Sequence, residues 1–77
     1  MGKQRFNEIL HRRIVERLKQ LRKHKGLTQE EVRNDMNDLN IGRIESGQHS
    51  ITVSTLADLC DYYGVTLEEF FKDMKTN

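Results

Sequence analysis

The run TQEEVRNDMNDLNIGRIESGQ, residues 28–48, decides how this chain folds. Thr28 can accept the backbone N–H of Glu31, and Glu31 can reach back to Thr28, the reciprocal pairing that opens a helix. Leu27 can staple onto Val32, after which Val32 and Met36 face inward. The chain then turns polar, with Ile41 and Ile44 three apart. That spacing predicts the inward side of a short helix over about 39–46, which Asp38 would cap and Gly47 would stop. At about 100° per residue, Leu39, Arg43 and Ser46 fall on its outer side, with Gly42 beside them. Glycine inside a helix costs about 1 kcal/mol relative to alanine. Its presence makes sense where another backbone or a nucleic acid comes close.

A capped helix, a tight turn and a short helix showing Arg43 outward make a helix-turn-helix reading unit. The major groove of DNA admits one α-helix, and arginine is the commonest specific partner of guanine. The alternative is a plain structural helix with a solvated arginine.

Three further helices surround this pair. One runs from about Asn7 to Lys25, with Leu10, Ile14, Leu18 and Leu21 along one face and Gly26 as its stop. Another follows Thr52 and aligns Val53, Leu56, Leu59, Cys60 and Tyr63 before Gly64. The last repeats the capping box as Thr66 and Glu69 and turns Leu67, Phe70, Phe71 and Met74 inward. Proline is absent and no strand-like alternation is sustained. The expectation is all-α: a compact bundle of five short helices.

Seventy-seven residues make one domain. Its core spans about 10–71, preceded by a basic N-terminal arm at 1–6 and followed by a tail at 75–77. Cys60 is alone, so no internal disulfide forms, and its place in an apolar stripe marks it as a buried thiol suited to a reducing cytoplasm. No apolar run reaches the roughly 18–20 residues of a membrane span, and Phe6 stands where myristoylation wants Ser or Thr. The expected place is the cytoplasm, with no membrane partner. The formal net charge of +1 conceals a division along the chain. Residues 1–27 carry nine basic and two acidic side chains, net +7, while 28–50 and 51–77 each carry two against five, net −3. Such polarity suits a basic part turned toward a polyanion, or simply a solvated basic helix.

The segments RLKQLRKHKGLTQEEV, IGRIESGQ and TVSTLADLCDYYGVTLEEFF resemble, in order and spacing, the Cro/repressor-type helix-turn-helix family, also called the XRE family. The resemblance spans about residues 10–71. It implies a lambda-repressor-like DNA-binding domain and a sequence-specific regulator of transcription, a repressor, that reads the major groove of double-stranded DNA as a homodimer. It implies that Gln29 touches the DNA backbone or a base, that Arg43 reaches base edges, and that Asn40 is a second reader, able to pair with adenine. Gln48, His49 and Ser50 would follow a phosphate strand, with Thr28, Lys23 and Lys25 also at the DNA. Arg22 and Glu45 match a structural ion pair joining the first and third helices, and Phe71 and Met74 are the expected dimer contact. The chain departs from the pattern by two fewer residues before the I-x-x-I-E block, by Arg33 at a usually small position, and by Asn37 at a usual glycine. Leu39 then either reads a thymine methyl or fills core beneath the turn.

Catalysis finds little support. His11, His24 and His49 lack metal-ligand spacing, and Glu30/Glu31 and Glu68/Glu69 suit the positive ends of helix dipoles. No enzyme activity, metal or cofactor is expected. The rival reading is an antitoxin-like protein-interaction module that holds a protein partner and regulates its own operon. Little chain follows the fifth helix, so no ligand-sensing domain is expected either.

Overall fold

The computed structural model describes residues 7–74; the N-terminal arm and the 75–77 tail lie outside the described residues. Five helices follow in order: α1 (Glu8–His24), α2 (Gln29–Asp35), α3 (Ile41–Glu45), α4 (Val53–Tyr63) and α5 (Leu67–Phe71). No strand occurs among the described residues.

Local chemistry sets most of these boundaries. Asn7 Oδ1 accepts the Leu10 N–H at 2.9 Å and starts α1. Thr28 and Thr66 each form a complete capping box, with Glu31 and Glu69 respectively, and Thr52 caps α4 through the Thr55 N–H. Four orphan N–H groups sit at any helix start, so each such cap contributes about 1 kcal/mol. Asn37 ends α2 in the left-handed region, φ +54°, and the Asp38 N–H returns to the Arg33 carbonyl at 2.9 Å. This is the bond of a Schellman stop, which glycine usually supplies and asparagine can.

The cap of the third helix differs from the expectation. Asp38 is itself left-handed, φ +62°, and the N-cap is Asn40, whose Oδ1 accepts the Arg43 N–H at 3.0 Å. Two consecutive left-handed residues carry the turn farther than a single stop would, so α3 starts at Ile41 rather than about 39. Leu39 therefore precedes the helix instead of lying on its outer face, and packs half-buried against the core.

That core joins Ile14 and Leu18 of α1, Val32 of α2, Ile41 of α3, Leu56, Leu59, Cys60 and Tyr63 of α4, and Phe70 of α5. Burying each large apolar side chain contributes about 1.5–3 kcal/mol. Val15, beside the α1 stripe, is also buried. Three apolar expectations change: Val53 is 74% exposed, Leu67 37% and Phe71 38%. Val53 and Leu67 are the first residues of their helices, in register with an apolar stripe yet outside the core cluster. Of the phenylalanine pair only Phe70 is held inside. Arg17 of α1 donates Nη1–H to the Phe70 carbonyl at 2.7 Å and places its guanidinium carbon 6.0 Å above the Phe70 ring. This cationic clasp fastens α5 to α1. Among the described residues no helix is long and apolar enough to cross a membrane.

Candidate nucleic-acid interface

A buried network sets the position of α3. Arg22 donates from Nε to Glu45 Oε2 at 2.8 Å and from Nη2 to Glu45 Oε1 at 3.0 Å. Its remaining nitrogen, Nη1, donates to the Leu27 carbonyl at 2.7 Å. The two charged side chains are only 11% and 3% exposed. Burial of charge is tolerable when every donor and acceptor is used, and bidentate geometry supplies that here. No buried side-chain nitrogen or oxygen among the described residues lacks a partner. The hydrogen bond to Glu45 raises the Arg22 pKa, against a burial effect that lowers it. Nearby Tyr63 is pushed up to about 12, chiefly by burial and then by the Glu45 carboxylate.

Glu45 also holds Gln29. The Gln29 amide donates from Nε2 to Glu45 Oε1 at 3.0 Å, an assignment fixed by the carboxylate's inability to donate. Its carbonyl, Oε1, then lies toward Gly42: a Cβ on Gly42 would stand 3.3 Å from Gln29 Oε1 and 3.8 Å from Asn40 Oδ1. The close approach at Gly42 thus comes first from the α2 side chain packed across it.

Two clefts open on either side of Asn40. One, of about 230 Å3, brings Asn40 and Arg43 together with His49 and Ser50 of the α3–α4 loop. The other, of about 450 Å3, lies between α2 and α3 and is lined by Gln29, Glu30, Arg33, Asn34, Asn40 and Gly42. The loop is held from α1, where His11 Nε2 donates to the His49 carbonyl at 3.0 Å. Arg43 is exposed, and no ion pair or side-chain hydrogen bond engages its guanidinium among the described residues.

A family model described as a helix-turn-helix domain matches residues 13–70. The chain belongs to that helix-turn-helix family. No curated protein and no solved structure matches it. Within the matched span the helix-turn-helix is α2, the 36–40 turn and α3, with the Arg22–Glu45 pair tying its second helix to α1.

The residues expected at a nucleic acid divide in this frame. Gln29, Asn40, Arg43, His49 and Ser50 gather along the two clefts, and exposed Gln48 continues the loop. Asn40 spends Oδ1 on its cap and keeps Nδ2 as a donor. Thr28 is more fully committed, since its hydroxyl and N–H both serve the capping box. Lys25 lines neither cleft. Its Nζ lies 3.8 Å from where a Gly64 Cβ would be, at the negative end of the α4 dipole. Lys23 is exposed on the last turn of α1. Phe71 and half-buried Met74 lie at the far end of the chain, on and after α5. Two residues of this surface were not among the expected contacts. Arg33 stood out in the sequence as a departure from pattern, and His11 had no local signal, because its partner is 38 residues away.

Proposed function

We propose that this protein is a non-enzymatic, sequence-specific double-stranded DNA-binding regulator of transcription, of the Cro/repressor type and acting as a repressor. The observation that carries the reading is the exposed Arg43 on α3 of a helix-turn-helix, whose guanidinium has no partner among the described residues, beside the Asn40 amide and the His49–Ser50 loop. Base edges in the major groove offer the acceptors that such donors need. The loop backbone and the basic α1 supply phosphate contacts that orient without specifying.

The working form is a homodimer, because one short helix reads too few base pairs to select a site. Exposed Leu67 and Phe71, with Met74, offer the apolar surface for the contact. Half-sites would then lie one helical turn apart, about 34 Å. The test is selection of bound fragments from random duplex DNA. A selected motif of two inverted half-sites at that spacing is expected; recovery of unrelated sequences would refute sequence-specific reading.

A further inference from the structure

The five residues of α3 pose a problem of supply. Such a helix is about 7–8 Å long against a major groove about 12 Å wide. Ile41 is buried, Ile44 packs on the core, Glu45 is bound to Arg22 and Gln29, and Gly42 has no side chain. Arg43 alone remains, so α3 by itself offers a single reading side chain. The α2 helix carries what would complete it. Arg33 is exposed, lines the α2–α3 cleft with Gln29, Asn40 and Gly42, and makes no ion pair or side-chain hydrogen bond among the described residues.

The polarity of that cleft points to a base edge rather than a phosphate. Gln29 Oε1 is an acceptor there, because Nε2 is held by Glu45, and the Glu30 carboxylate is a second acceptor. Asn40 Nδ2 and the Arg33 guanidinium are donors. A phosphate presents acceptors only and would be repelled by Glu30. A guanine–cytosine pair presents O6 and N7 as acceptors and the cytosine amine as a donor, and so answers both kinds of group.

We propose that Arg33 is a specificity-determining DNA contact that reads a guanine from α2, on the opposite side of Asn40 from Arg43. This rests on the DNA-binding reading above and deepens it: base recognition is divided between both helices of the motif.

The experiment compares wild type, Arg33→Ala and Arg43→Ala on the selected duplex, on a scrambled duplex, and on selected duplexes carrying 7-deazaguanine at single guanines. Arg33→Ala should bind the selected duplex about tenfold or more weakly, the scale of one lost bidentate base contact, and bind scrambled DNA as before. At one guanine per half-site, 7-deazaguanine should weaken wild type and Arg43→Ala but not Arg33→Ala. Arg33→Ala weakening both duplexes equally would overturn the proposal in favour of a phosphate contact, and no change on either would overturn it in favour of a solvated side chain. If Arg43→Ala still relaxes selectivity in those cases, the DNA-binding reading stands while the role of Arg33 falls. If wild type shows no preference for any duplex, both fall together. An unchanged melting temperature for Arg33→Ala confirms that the fold is intact.

Discussion

Asn37 and Asp38 are held at φ +54° and +62°, a conformation that costs L-residues about 1–2 kcal/mol and asparagine or aspartate less. Asn37→Gly should therefore stabilise by about 0.5–1 kcal/mol despite the greater freedom of an unfolded glycine, and Asn37→Val should destabilise. Chemical denaturation measures both; a glycine variant no more stable than wild type would mean that the asparagine is unstrained. Glu45 presents the opposite case. Glu45→Ala would strand the Arg22 charge at 11% exposure and release the Gln29 amide together. Breaking a buried pair by removing one partner costs about 3–5 kcal/mol. Exposed Glu68→Ala should change stability little by comparison, and equal small losses for both would show that the pair does not hold α3.

At the scale of elements, α4 couples the fold to alkaline pH. Tyr62 donates its hydroxyl to Asp35 of α2 at 2.6 Å, and this bond pushes its pKa up to about 12. Tyr63 is raised similarly, mainly by burial. A group whose pKa is higher folded than unfolded stabilises fully below the unfolded value, near 10, and loses that contribution as pH rises toward the folded one. Stability should fall between about pH 10 and 12, and Tyr62→Phe should flatten the fall while lowering stability slightly at neutral pH. An unchanged alkaline profile in that variant would remove the Tyr62–Asp35 bond from the account.

The elements also show what a sequence can disclose. The capping boxes at Thr28 and Thr66 were legible because donor and acceptor are three residues apart and need no tertiary context. The start of α3 was not, because Asp38 and Asn40 are both competent caps and the choice between them depends on the left-handed pair in the turn. Apolar spacing located the stripe of α4 but not that Val53 would stand outside the core. At the interface, Arg43 could be placed outward from the two isoleucines alone. The joining of Arg33 to the same surface needed the packing of α2 across Gly42, and the anchoring of the loop by His11 needed contact across 38 residues.

At the scale of the whole molecule, a net +7 over residues 1–27 against −3 in each remaining block should make DNA affinity fall steeply with salt. Neutralising about 4–6 phosphates per dimer implies a log–log slope of roughly −4 to −5. Affinity that stays flat between low and moderate salt would contradict a phosphate-led encounter. Sedimentation should find a dimer on the operator, and Phe71→Glu should weaken it by placing charge in an apolar contact. A monomer both free and bound would remove the two-half-site picture.

On the proposed reading, the α2–α3 unit reads sequence while the basic end of α1 contributes only attraction. The most direct measurement of this claim compares Arg43→Ala and Lys25→Ala on the selected operator and on scrambled duplex. Arg43 faces the cleft with Asn40, whereas the Lys25 ammonium lies by Gly64. Arg43→Ala should cost about 1–3 kcal/mol on the operator, leave scrambled DNA nearly unaffected and relax preference at one base pair per half-site. Lys25→Ala should change both duplexes alike. An Arg43→Ala variant that loses operator and scrambled DNA in equal measure would contradict the claim, since α3 would then bind DNA without reading it.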